Sequence, residues 1–332
     1  MPRWLKRPEG SNWGAFGDDD QVGRMNLVTP ERRRRALAEA REGRCFLLGL
    51  PLDYPKGKIF AGRNPPRLEP TYGGDGRVMY DWTFADRGSD VINDDRVVMD
   101  LQYSSQWDGL SHYGCCFDAD DDGVAEHVYY NGYRSDRDFV QPAEGVSPRA
   151  LALGIENLAR TCVQGRGVLV DVRRAGSGPH ALVGYEALMA AIEAQKAHVE
   201  EGDLLCLYTG YGDLLMRDGE AVDRDELAGC PGLDGADKRL LEWIDRSGLA
   251  AICADNPMVE KMEGVERCEG TARLPLHEHC LVKLGVHLGE FWWFGAIAPW
   301  LAERGRAHFL LTAPPLNLPG AVGSPATPVG TV

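Results

Sequence analysis

The chain has 332 residues, with 50 Asp and Glu against 36 Lys and Arg and a formal net charge of -14. An acidic chain without a Lys/Arg stripe excludes a nucleic-acid partner, and 44% apolar residues is the content of an ordinary globular protein. No apolar run reaches the ~18 residues that cross a bilayer, and the N-terminus lacks a secretory leader, so a cytoplasmic protein with no membrane partner is expected.

In chain order, Thr29-Pro30 marks the first helix start, with Thr29 as N-cap and Pro30 in the first turn. That helix is predicted over 30–42, and its Arg32 to Arg35 run is read as a solvated face. The first 145 residues are rich in Gly, Pro and Asp, with extended pieces near 45–53, 78–84 and 96–107. Further helices are predicted at 147–162 (Ser147 as N-cap), 184–199, 235–247 and 296–304. Between them, β-branched or Leu-rich runs at 167–172, 203–209, 249–254 and 308–312 read as strands. The stretch from 167 to 254 is therefore β-α-β-α-β, a layered α/β signature. One domain over 1–332 is expected, with residues 1–45 forming an arm and helix. Leu316, Leu318, Val322 and Val329 would pack the segment 314–332 onto the body.

Nine cysteines, an odd number with no zinc-knuckle spacing, are expected to be reduced and mostly buried. Vicinal Cys115 and Cys116 are read as two packed thiols, because adjacent cysteines strain a disulfide. Asp118-Ala119-Asp120-Asp121-Asp122-Gly123 begins like an EF-hand loop, but Tyr129 stands where the bidentate Glu belongs; an acidic turn is expected. Gly210-Tyr211-Gly212 lacks the third glycine of a dinucleotide fingerprint, so no nucleotide cofactor is expected. There is no Gly-x-Ser-x-Gly elbow.

Two stretches carry chemistry. The first runs from Gln102 to His112. If it is extended, Gln102, Ser104, Gln106 and Asp108 project from one face, with His112 just beyond. Such a row suits a hard metal ion or a reacting carbonyl, and equally the polar face of an ordinary strand. The second is Leu276-His277-Glu278-His279, followed by Gly285-Val286-His287-Leu288-Gly289-Glu290. Extended, it would place His277 and His279 on one face, and imidazole with carboxylate is a frequent catalytic metal set. Trp107, Trp292 and Trp293 offer either a flat wall for a planar substrate or plain core packing.

Joined, the two stretches resemble the Putative cyclase family, which includes bacterial kynurenine formamidase and isatin hydrolase. The family hallmark is His-x-Gly-Thr-His-x-Asp-x-Pro-x-His, with a His and a Glu far downstream. Here Gln102 and Gln106 stand at the first two His positions, Asp108 at the Asp, Leu110 at the Pro and His112 at the last His. Glu290 matches the downstream Glu, and His277 or His279 the downstream His, with His277 preferred. The resemblance extends through Asn12-Trp13-Gly14, Gly202-Asp203-Leu204-Leu205, Pro231-Gly232-Leu233 and Gly323-Ser324-Pro325.

The resemblance implies a mixed, barrel-like β core flanked by helices, and a homodimer or homotetramer. It implies metal-dependent hydrolysis of a small amide, cyclic amide or lactone. Asp108, Glu290 and His277 (or His279) would hold a zinc or manganese ion, and His112 would be the general acid/base. Two Gln in place of two His remove nitrogen donors, so manganese is favoured and a two-zinc centre is not expected. Gln106 then becomes a fourth candidate ligand, and Gln102 a substrate-binding residue. The same departure keeps two other readings open: a metal-independent acid/base cyclase, dehydratase or isomerase, and a non-catalytic small-molecule binder.

Overall fold

A computed structural model describes residues 3–56, 62–84, 88–176, 180–264 and 272–332. Nine strands build one sheet: β1 (Cys45–Leu47), β2 (Gln106–Asp108), β3 (Gln164–Asp171), β4 (Leu204–Tyr208), β5 (Ala251–Ala254), β6 (His287–Glu290), β7 (His308–Thr312), β8 (Gly323–Pro325) and β9 (Val329–Thr331). Their order across the sheet is β1-β9-β7-β3-β4-β5-β6-β2-β8. The four central strands run parallel and both flanks are antiparallel, giving the mixed, curled α/β sheet expected.

β4 and β5 read as unbroken apolar runs because both of their faces are covered. In β4 the alternation is explicit. Leu205 and Leu207 join one core cluster with Val168, Val170, Ile252 and Leu288, while Leu204, Cys206 and Tyr208 join another with Trp107, Phe309 and Leu311. The first cluster is closed by the helices Tyr185–Gln195 and Lys238–Ser247, the second by Ile155–Arg160 and Ile297–Glu303.

Several expectations need correction. No helix starts at Ser147. Residues 149–150 pair with 139–140, and Ala150 and Ile155 donate to Gly320 and Ala321 carbonyls. The C-terminal segment thus captures this stretch, and the helix begins only at Ile155. The first helix stops at Leu37, though Thr29 caps it through the Arg32 amide as predicted. Its arginines are not all solvated. Arg32 donates to the Leu27 carbonyl and Arg33 to that of Gln164, leaving Arg34 and Arg35 exposed. The cysteines are not mostly buried: Cys206, Cys253 and Cys280 are, whereas Cys45, Cys116 and Cys162 are exposed; Cys268 lies outside the described residues. The segment 314–332 supplies β8 and β9, so it is built into the sheet itself.

Candidate metal centre

The register between β2 and β6 sets the site. Leu288 lies opposite Asp108, Gly289 opposite Trp107, and Glu290 opposite Gln106. Directly opposed residues share a face, so Gln106, Asp108 and Glu290 project together while Trp107 points the other way. Gly289 is required there, since a Cβ would come within 2.9 Å of the Trp292 indole. On the other side of β2, Gly323 faces Asp108. A Cβ on Gly323 would fall 2.6 Å from Gln102 Nε2, so this glycine clears space for the Gln102 amide beside Asp108.

His277 reaches the same point from the helical turn Pro275–His277, which continues as a π-helical stretch Glu278–Leu284. Its Nε2 is 3.4 Å from Glu290 Oε1 and 3.9 Å from Asp108 Oδ2. Asp108, His277 and Glu290 are all buried, and one ligand atom from each lies within 4.8 Å of the others. Behind His277, Glu260 holds the ring from Nδ1 at 2.7 Å and accepts from the backbone amides of His277 (3.0 Å) and Leu276 (3.2 Å). Val259, just before Glu260, has a φ of 58°, a conformation that costs a β-branched residue energy and is kept only where surroundings enforce it.

The charge balance is tight. Burial opposes an imidazolium at His277, but Glu260 and Glu290 outweigh it and lift the group to about 10. Burial, reinforced by Asp108, pushes Glu290 up to about 8.

The remaining predicted residues fall as follows. His112 sits on the turn after β2, with Nε2 3.7 Å from Asp108 Oδ1 and its side chain 24% exposed, at the rim of the centre. The row of four polar side chains does not exist as a strand, because only 106–108 is extended. Ser104 and Ser105 bond instead to the Pro51 carbonyl and the Leu50 amide. His277 and His279 diverge, because the segment is helical and residues two apart point to different sides. His279 binds the Leu241 carbonyl at 2.9 Å, and burial pushes it down to about 4, away from the centre. Trp107 and Trp292 are fully buried, stacked edge to face at 5.1 Å, with indole N–H groups donating to Ala313 and Gln106 carbonyls. They are core, not a substrate wall. Trp293 packs beside Tyr211 and Phe291 and donates to Asp213. The acidic turn at 118–123 gathers Asp118, Asp120, Asp122 and Glu126, and Arg134 bridges Asp120 and Glu126 at 2.7 and 2.6 Å.

Sequence reasoning missed Glu260, Tyr113 and Arg63. The Tyr113 ring tilts against His277 at 5.5 Å, and Arg63 donates to the Gln102 carbonyl at 2.9 Å. Only Tyr113, adjacent to His112, carried a local signal. Because Glu260 orients the imidazole, Glu260→Gln is expected to weaken divalent-ion affinity ~10–100-fold in a competition titration, with the fold retained.

The donor set fits a divalent ion. Asp108 Oδ2 and Glu290 Oε1 are buried oxygens with no hydrogen-bond donor, both turned toward His277 Nε2. Such orphaned acceptors cost free energy unless a cation satisfies them.

The sequence matches the Putative cyclase family over residues 48–261, more than half of the chain. The protein belongs to this family. A crystal structure described as a novel cyclase is 32% identical, with 98% of this chain and 100% of that one aligned and a TM-score of 0.78. Isatin hydrolase A from Labrenzia aggregata, solved with benzyl benzoate, is 15% identical over 90% of this chain and 98% of its own, with a TM-score of 0.55. An isatin hydrolase bound to the product analogue thioisatinate is 14% identical over 92% and 99%, with a TM-score of 0.56. At such identities the isatin hydrolases share the fold alone. No curated protein matches the chain.

Proposed function

We propose that this protein is a metal-dependent hydrolase of small amides, cyclic amides or lactones. The carrying observation is the convergence of buried His277, Asp108 and Glu290, one ligand atom from each within 4.8 Å of the others, with Asp108 Oδ2 and Glu290 Oε1 unpartnered. A divalent ion bound there would supply a Lewis acid and bring a water's pKa toward ~7. One nitrogen and two carboxylates form a hard donor set, which favours manganese over zinc. His112, within reach of Asp108 and open to solvent, is placed to pass a proton to the leaving nitrogen or oxygen. Gln102 Nε2, buried and without a partner, is available to a substrate carbonyl beside Asp108. Cyclic amides head the substrate list because isatin hydrolases share this fold.

Metal analysis of protein purified without chelator, paired with turnover of formanilides, isatins and lactones, tests this. Chelation is expected to abolish turnover and manganese to restore it. Full activity in metal-free protein would point to acid/base chemistry by the His277–Glu290 pair, the reading that the raised affinity of both groups for protons favours.

We infer further that the chain works as a homo-oligomer. Arg67–Pro70 pairs with Asp95–Val98 and Trp82–Thr83 with Val91–Ile92, two short two-stranded ladders with no third strand among the described residues. Leu68 and Val97 are paired across the first and are 75% and 50% exposed, with Tyr72, Tyr80 and Val91 also open. An isolated ribbon is marginal in water, and such a patch marks a contact surface that a second copy presents equally. Light scattering of Leu68→Asp/Val97→Asp is expected to show subunits separating at concentrations where the parent stays assembled. A parent that is already monomeric would refute this.

A further inference from the structure

Gln106 divides the two carboxylates of the centre into inner and outer halves. Its Nε2 donates to Asp108 Oδ1 at 3.2 Å and to Glu290 Oε2 at 2.9 Å. The other oxygens, Asp108 Oδ2 and Glu290 Oε1, face His277 and accept nothing. Gln106 is fully buried, on the strand position directly across from Glu290. An amide NH2 carries two N–H groups, one for each carboxylate, and the flipped amide would set an oxygen against two anionic oxygens. The orientation is therefore fixed by chemistry.

Gln106 satisfies the outer oxygens as a neutral donor and adds no charge.

We propose that Gln106 is a strut: its Nε2 ties Asp108 to Glu290 across the space between them and restricts the centre to a single divalent ion on the His277 side, while its own Oε1 is buried with no donor. This inference rests on the metal-centre reading above, and deepens it by assigning the ion count to one residue. It also revises the part that the sequence suggested for Gln106.

The test is a manganese titration of the metal-free full-length chain, followed by mass-spectrometric metal counting and electron paramagnetic resonance. One ion per chain with the six-line spectrum of isolated Mn(II) is expected. Two ions per chain with an exchange-coupled multiline spectrum would overturn the strut while leaving the metal centre intact. No bound ion at all would overturn the metal reading itself. Gln106→His exchanges the two N–H donors for a ring-nitrogen lone pair, and is expected to raise the count to two and bring in the coupled signal. A folded Gln106→His protein that still holds one isolated ion would also overturn the proposal. If that variant fails to fold, the count on the parent chain decides alone.

Discussion

Glu290→Gln is expected to remove divalent-ion binding and turnover together, while making the metal-free protein more stable at alkaline pH. The two effects have one cause. Glu290 is a buried carboxylate whose charge is opposed by desolvation and by Asp108, so it is pushed up to about 8. A carboxylate raised in the folded state contributes stability below its unfolded value, and loses it as pH climbs through the folded value. Above pH 8 the metal-free parent therefore carries a second buried anion beside Asp108 that glutamine does not have. Melting curves at pH 9 without metal should place the variant above the parent. Adding manganese should raise only the parent, because an ion that binds the native state alone stabilises it by mass action. Loss of a ligand should weaken the ion by more than the ~100-fold typical of lost supporting groups. A variant that keeps manganese at parental affinity would remove Glu290 from the centre.

His112→Ala should behave differently: kcat is expected to fall ~10²–10⁴-fold, the range for a lost acid/base group, with ion affinity unchanged. The imidazole is 3.7 Å from Asp108 Oδ1, on the side of that carboxylate turned away from His277. Its removal leaves the donors Asp108 Oδ2, Glu290 Oε1 and His277 Nε2 untouched. The discriminating measurement is the leaving-group series. If His112 delivers the proton, substrates with acidic leaving groups should lose less rate than those with basic ones. A uniform loss across the series would assign His112 to substrate binding.

Much of the site could be read from residue types and spacing, and the misses have specific physical reasons. Asp108 and Glu290 were legible because they stand at the Asp and the downstream Glu of the family motif, in stretches dense with polar and imidazole groups. β4 and β5 were legible because burial on both faces leaves uninterrupted apolar runs. The choice between His277 and His279 was obscured by treating the segment as extended. Yet Leu276, Cys280, Leu281 and Leu284, all fully buried, already recur at helical spacing. Strand alternation likewise assigned Trp107 to the face opposite Gln106 and Asp108. Glu260 was beyond reach, since it meets His277 only through packing between a loop and a helical turn seventeen residues later. The helix expected from Ser147 failed because its first residues are claimed by Gly320 and Ala321, a competition that no local propensity reveals.

The strand that bears Asp108 is held on one side by β6 and on the other by β8, which ends at Pro325. Synthesis on the ribosome proceeds from the N-terminus, so Asp108 emerges more than two hundred residues before its outer neighbour exists. The half-made polypeptide offers exposed acidic and imidazole groups with no formed cage, and cannot discriminate among cellular cations. A selective ion site at Asp108 would therefore have to wait until β8 has been made.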